Sequence, residues 1–355
     1  MELPRPLLAA AAAVIGAAGL TSCSGEVTAS PRVPPSSATT PAIPSAAPSP
    51  TQVPIGPRLA DLPRGRDPKV GYVDGGTFVA PGGRRTALPD RYGISSVTSF
   101  DGGFLVADTR FFEGTSGLVR VTARGREDLG PCTSGAGAVS GDRELVAWAT
   151  FACPESGEPA PLVIHRYSSR GLQSQRVASQ PGHLTQVVGF IGHDVVYQST
   201  FTGGVFVTDL VHPPAPVAGL RTVSGIDETG DRLAGALPRR GPVGAVVDRE
   251  SGRTRWTVRG VYLGDFSPHG SLVLGQRRAW LVLDARTGAE RGRIFEAFDA
   301  GAVVWEDDRH LLAVVREGGM QAIVRTDLRG RTTLASDLVR RDRPGEQRFV
   351  LAQQP

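Results

Sequence analysis

Val247-Asp248-Arg249-Glu250-Ser251-Gly252-Arg253-Thr254-Arg255-Trp256 joins an apolar run to a second extended run through a turn built from Asp, Ser and Gly. Leu283-Asp284-Ala285-Arg286-Thr287-Gly288 repeats it about forty residues later without the tryptophan. An Asp at the head of such a turn accepts bonds from the backbone amides that follow, and the glycine supplies a positive φ that a Cβ would penalise. The stretch therefore predicts a hairpin, and its recurrence predicts a repeat.

A second turn recurs at the same interval: Phe100-Asp101-Gly102-Gly103-Phe104-Leu105, Val139-Ser140-Gly141-Asp142-Arg143-Glu144-Leu145, Phe190-Ile191-Gly192-His193-Asp194, Ile226-Asp227-Glu228-Thr229-Gly230-Asp231-Arg232-Leu233, Phe266-Ser267-Pro268-His269-Gly270-Ser271-Leu272 and Trp305-Glu306-Asp307-Asp308-Arg309-His310-Leu311. From Arg58 onward the intervening segments are short, rich in Val and Leu, and bounded by turn formers, which is the strand signature. No amphipathic helix of any length interrupts them. Tight turns spaced near forty residues argue for four-stranded sheets stacked radially, because one unit alone buries neither of its faces.

At these residues the chain resembles known propellers. Phe266-Ser267-Pro268-His269-Gly270 is similar to the SPDG turn of WD40-like and TolB-like blades, with His269 where Asp is usual. The Asp248 to Trp256 hairpin resembles the outer hairpin of PQQ-like blades. The resemblance implies an all-β propeller and carries no activity with it.

Full units are expected to begin near Ile94, Thr133, His183, Thr222, Val261 and Ala302. Residues Lys69 to Pro89 offer three strands, Val70 to Val73, Thr77 to Ala80 and Arg85 to Leu88, and Arg348-Phe349-Val350-Leu351-Ala352 is a lone strand. Pairing that C-terminal strand with the first three gives seven four-stranded blades and removes two sheet edges. Six or eight blades remain alternatives.

Ahead of the repeat, an apolar run from Leu7 to Leu20, about 14 residues, ends in Leu20-Thr21-Ser22-Cys23. A bilayer-spanning helix needs about 20 residues, so the run reads as a signal-peptide core. Leu20 to Cys23 resembles the bacterial lipobox, which implies diacylglycerol and palmitate on Cys23 and loss of residues 1–22; a secretory signal with a chance cysteine is the alternative. Two or more acyl chains make such an anchor durable. Ser24 to Pro57 is dominated by Pro, Ser, Thr and Ala, with Glu26 and Arg32 its only charges. Residues 23–57 are thus expected to be a disordered tether reaching up to about 100 Å, and residues 58–355 the propeller.

The chain has 355 residues, a net charge of +4, and Lys69 as its single lysine. No aromatic residues interleave with a dense basic stripe, which disfavours nucleic acid. With Cys23 assigned to lipid, Cys132 and Cys153 form an even pair in an oxidising compartment. Cys132 ends one blade and Cys153 follows the second strand of the next, so a disulfide is expected, stabilising the fold by about 3 kcal/mol in the chain-entropy model. Two free thiols are the alternative.

The chemistry-bearing residues are scattered. His165, His183, His193, His212, His269 and His310 show no metal spacing, and Trp148, Trp256, Trp280 and Trp305 lie at strand level, where packing between blades is expected. Glu306, Asp307 and Asp308 either crowd near the channel mouth, where like charges raise one pKa, or form a solvated acidic turn. Ser99-Phe100-Asp101-Gly102-Gly103 resembles the start of a sialidase Asp-box, itself a structural turn. No catalytic, cofactor-binding or metal-binding residue is nominated. The expectation is a monomeric lipoprotein on the extracytoplasmic face of the cell membrane, held there by Cys23 and binding a protein, peptide or wall polymer. The alternatives are a propeller enzyme of the quinoprotein or polysaccharide-lyase kind and an envelope assembly factor.

Overall fold

The computed structural model describes residues 57–88, 93–100, 103–108, 116–133, 135–151, 162–177, 185–199, 203–227, 229–238, 241–296, 298–341 and 347–352. All of them lie in the compact unit Val53–Pro355. The only helical element among them is a 3-10 turn, Leu59–Asp61, and among the described residues no helix is long and apolar enough to cross a membrane. Cys23, Cys153, His183 and the Asp101-Gly102 turn lie outside the described residues.

Strands β1 (Tyr72–Asp74), β2 (Thr77–Val79) and β3 (Arg85–Ala87) open the ring. Blade 2 follows as β4 (Ile94–Phe100), β5 (Gly103–Asp108), β6 (Ser116–Thr122) and β7 (Gly125–Thr133), and blade 3 as β8 (Ala138–Val139), β9 (Val146–Thr150), β10 (Leu162–Ser168) and β11 (Gly171–Val177). Blade 4 is β12 (Thr185–Ile191), β13 (Asp194–Ser199), β14 (Gly204–Thr208) and β15 (Ala215–Pro216); blade 5 is β16 (Thr222–Asp227), β17 (Arg232–Ala236), β18 (Val243–Asp248) and β19 (Thr254–Arg259). Blade 6 is β20 (Tyr262–Phe266), β21 (Leu272–Gln276), β22 (Trp280–Asp284) and β23 (Glu290–Ile294); blade 7 is β24 (Asp299–Asp307), β25 (His310–Glu317), β26 (Met320–Asp327) and β27 (Thr332–Leu334), with β28 (Val339–Arg340) beside β26. The last strand, β29 (Phe349–Leu351), pairs antiparallel with β1, Tyr72 opposite Leu351, so blade 1 runs β29-β1-β2-β3.

The protein is thus an all-β propeller of seven four-stranded blades, closed by its C-terminal strand as the sequence predicts. One unit begins later than expected: Thr133 is the end of β7, and β8 starts at Ala138. Thr133 pairs with Thr150, which merges blades 2 and 3 into one hydrogen-bonded sheet.

The cores lie between successive blades. The largest gathers Phe349, Val350 and Leu351 of β29 with Val73 and Phe78 of blade 1, Val97 and Phe104 of blade 2, and Leu312 and Ile323 of blade 7. Blades 5 and 6 meet through Ala234, Val246, Leu263, Val273 and Leu283. Because a middle strand packs against neighbours on both faces, β5 is buried at every position, which accounts for continuous apolar runs rather than alternation. Residues 57–70 form a strap along blade 7: Leu59 packs among Leu311 and Val324, and Gly65 N donates to Leu334 O at 2.7 Å while Leu334 N donates to Pro63 O at 2.9 Å. The strap covers the outer edge of β27, an otherwise unpaired edge.

Candidate functional site

In blades 3 to 7 the inner strand leads into a tight turn, and these turns gather around one mouth of the ring. Ser267 shows their construction. Its amide donates to Leu272 O at 2.9 Å, its hydroxyl accepts from Leu272 N at 3.2 Å, and Gly270 closes the turn at φ 66. Ser140 and Leu145 repeat the arrangement in blade 3. On the outer hairpins of the same face, Asp248 accepts from the amide and hydroxyl of Ser251 at 3.0 and 2.9 Å and from Arg255 at 2.9 Å. Asp284 accepts from Thr287 and Arg291 in the same way. These donors hold both carboxyls near pKa 2, led at Asp248 by the Ser251 amide and at Asp284 by Arg291.

In blades 5 to 7 acids and histidines at this mouth link one blade to the next. In blade 5, Asp227 accepts from Thr229 Oγ1 at 2.8 Å, Gly230 N at 2.9 Å and Arg232 Nε at 2.8 Å, and Arg232 reaches on to Gly270 O of blade 6 at 2.6 Å. His269 of blade 6 donates its amide to Asp308 of blade 7 at 3.1 Å and pairs its Nδ1 with the same carboxylate. Blade 7 is tied to the strap: Asp307 meets Lys69 Nζ at 3.2 Å and His310 Nδ1 at 2.8 Å, while Glu306 accepts from Lys69 N at 2.8 Å. Beneath them Arg325 clasps Glu306 through two bonds of 2.6 and 2.5 Å and donates to the carbonyls of Arg66 and Asp67. The Glu306 side chain is fully buried and that of Arg325 nearly so.

This corrects both expectations for Glu306, Asp307 and Asp308. Burial pushes each carboxyl upward, but the facing cations and amides outweigh it, and all three are lowered, Asp307 to about 2. Neither like-charge crowding nor bulk solvation describes them. Glu306, Asp307 and His310 do come close enough together to share a cation; their acceptor atoms are already engaged by Arg325, Lys69 and one another.

The remaining described histidines make local contacts. His165 bridges Thr150 Oγ1 and Ser174 Oγ, each at 2.8 Å, and its ring stacks on Trp148; burial lowers its pKa. His212 is raised by its bond to Asp209. His193 offers its carbonyl to Arg166 of blade 3. Tryptophans pack between blades as expected: Trp256 Nε1 donates to Ala285 O at 2.9 Å and Trp305 Nε1 to Asp265 O at 3.1 Å. Cys132 is buried and disulfide-bonded, and Phe151 N donates to its carbonyl at 3.1 Å; Cys153 lies outside the described residues.

The axis of the ring is bordered by the innermost strand of each blade. Five of these carry an irregularity in register, at Ile94/Ser96, Val187/Gly189, Val223/Gly225, Leu263/Phe266 and Ala300/Val303. At Gly225 a neighbouring backbone approaches closely: a Cβ there would lie 2.6 Å from Gly264 O. The exposed side chains on these strands are Ser95, Gln186, Thr222, Tyr262, Asp265, Asp299 and Ala302. Asp265 is the one that sequence reasoning missed. It is solvent-accessible yet ringed by blades, and burial among them raises its carboxyl to about 6. Its position before an ordinary turn gives no signal of this, because it faces the axis only once the ring closes.

No protein-family model matches the sequence, and no curated protein matches it. Among solved structures it is similar to a chain of the mitotic checkpoint complex, with TM-score 0.50 and 14% identity over 82% of this chain and 87% of that one. It is also similar to the computationally designed Ika8 protein, at TM-score 0.47 and 13% identity over 74% and 80% of the two chains. TolB from Acinetobacter baumannii matches at TM-score 0.44 and 11% identity over 80% and 66%. At such identities the mitotic checkpoint likeness speaks for the propeller fold alone.

Proposed function

We infer that the protein is an extracytoplasmic lipoprotein, anchored to the cell membrane through diacylated Cys23, whose propeller serves as a non-catalytic binding module for a protein, peptide or wall polymer. One observation carries the non-catalytic half of this reading. At the turn-bearing mouth Asp227, His269, Asp308, Glu306 and Asp307, residues of the kind from which acid–base chemistry would be built, are engaged in the joints of blade 5 to 6, 6 to 7 and 7 to the strap. Such joints make a rigid frame, and a rigid frame favours recognition by lowering the ordering cost of association. The Leu20-Thr21-Ser22-Cys23 motif and the Pro-rich segment behind it support the anchored half.

Palmitate labelling in cells, with and without globomycin, tests the anchor: label on the wild type that disappears in Cys23→Ser is expected, and unlabelled wild type overturns it. The module is tested by photo-crosslinkers at exposed positions on the turn-bearing face, such as Arg286, in intact cells. A discrete adduct that a crosslinker on the opposite face does not give supports recognition through this mouth, and the absence of any face-dependent adduct overturns it.

A further inference from the structure

Blades 2 and 3 meet differently from the other neighbours. At one end of their interface they are pinned: Thr133 pairs with Thr150, Phe151 N donates to Cys132 O, and a Cβ on Gly130 would come within 2.7 Å of Thr150. Toward the other end, where β7 and β9 run to the turn-bearing face, the two sheets diverge. The gap holds a cavity of about 80 Å³ between Phe100, Leu105 and Leu129 of blade 2 and Trp148, Tyr167 and Leu172 of blade 3. It adjoins a groove of about 560 Å³ walled by the β6–β7 hairpin, the two sharing Arg120, Glu127 and Tyr167.

Three independent features of this wedge point to a ligand. First, Trp148 is 2% exposed and its indole N–H has no acceptor within reach among the described residues, whereas Trp256 and Trp305 each find a carbonyl on a neighbouring blade. A buried donor left open beside a cavity asks for a partner. Second, Leu172 is 57% exposed at the mouth, one of three large apolar side chains so exposed among the described residues. Third, the groove is cationic. Arg120 lies 4.5 Å over the Tyr167 ring and 3.6 Å from Glu127, Arg126 bonds Asp128 at 3.0 Å, and the Arg124 guanidinium has no carboxylate partner among the described residues.

We propose that the wedge between blades 2 and 3 binds a small aromatic carboxylate bearing an oxygen on its ring. A flat ring fits between two diverging sheets against Tyr167 and Leu172, the ring oxygen accepts from the Trp148 indole, and the carboxylate lies in the groove against Arg124. This site is separate from the ring mouth and does not depend on the anchored reading of the chain.

The experiment follows the tryptophan indole signals of the full chain by two-dimensional NMR, with the Trp148 signal assigned by its loss in Trp148→Phe. On titration with 4-hydroxyphenylacetate to about 10 mM, the range in which a weak site saturates, the Trp148 signal is expected to move saturably while those of Trp256 and Trp305 stay. Because charge-assisted bonds are about twice as strong as neutral ones, 4-hydroxyphenylacetamide and Arg124→Glu should each bind about tenfold more weakly. Phenylacetate should bind while moving the Trp148 signal less. Leu172→Trp, at an exposed position, should block the wedge without lowering the melting temperature. A Trp148 signal that does not move, equal affinity for acid and amide, or binding indifferent to Leu172→Trp would each overturn the proposal.

Discussion

Replacing Phe349 by Ala should be among the most damaging single changes in the chain, although it lies only a few residues from the C-terminus. Phe349 is 2% exposed and sits in the largest core, its ring 6.2 Å from that of Tyr72 in an edge contact. Truncating a buried Phe to Ala costs about 3–5 kcal/mol, from lost transfer energy and the cavity left behind. Its neighbours multiply the effect in a deletion: Val350 and Leu351 are each 5% exposed, and burying three such side chains is worth about 1.5–3 kcal/mol apiece. Ladder bonds to β1 and the Arg348–Asp74 pair at 2.7 Å go with them. Since domains are stable by about 5–15 kcal/mol in total, removing residues 346–355 should leave a chain that folds poorly or not at all. Guanidinium unfolding followed by circular dichroism measures both, with Leu172→Ala, at an exposed outer-strand position, as the control expected within about 0.5 kcal/mol of wild type. If Phe349→Ala costs less than about 1 kcal/mol, or the shortened chain keeps the wild-type midpoint, β29 is not closing the ring and the reasoning fails.

Gly288→Ala should destabilise more than a typical turn substitution, because φ is 74 there and the new Cβ would lie 2.7 Å from the Trp256 ring; thermal melts against Gly318→Ala, whose site is open, test it. Arg325→Met should cost about 3–5 kcal/mol by stranding buried Glu306, and adding Glu306→Leu should recover most of the loss, as denaturant titration of the double mutant would report. Asp265 titrates near 6 in the fold against about 3.9 unfolded, so the fold binds its proton more tightly and loses stability as pH rises between those values. Asp265→Asn should therefore melt higher than wild type at pH 8 and alike below pH 4. Asp307, lowered to about 2, has the opposite sign: its contribution is present above about 4 and lost as pH falls through 2, and Asp307→Asn should flatten that acid limb of the melting curve.

What the sequence disclosed and what it withheld divides by the distance between interacting residues. The Asp284 to Gly288 hairpin was legible because its bonds close within seven residues, Asp284 to Arg291 being the longest. The turn interval gave the blades, and the unpartnered Phe349-Val350-Leu351 gave the closure, because a lone apolar strand demands a sheet. The Glu306-Asp307-Asp308 turn was misjudged because its partners are Lys69, at the far end of the chain, and His269, one blade back. Local spacing reports neighbours in sequence, and a propeller brings distant turns together only when the ring has formed. Asp265 and the merging of blades 2 and 3 were hidden for the same reason.

The same geometry explains why the turns are so polar. Blade cores are apolar and similar, so burial alone sets no strong preference for which blade sits beside which. Bonds such as Arg232 to Gly270 O and His269 to Asp308 are directional and join particular neighbours, and the Glu306–Arg325 pair locks the strap to blade 7 alone. A buried ion pair adds little net stability over an apolar substitute, yet a mismatched one leaves a charge stranded. On this argument the polar joints select the order in which the blades assemble, while the hydrophobic cores and β29 supply the stability, so a chain with Glu306→Leu and Arg325→Met should keep its melting temperature but refold with a larger misassembled fraction, measurable by size-exclusion chromatography after dilution from denaturant.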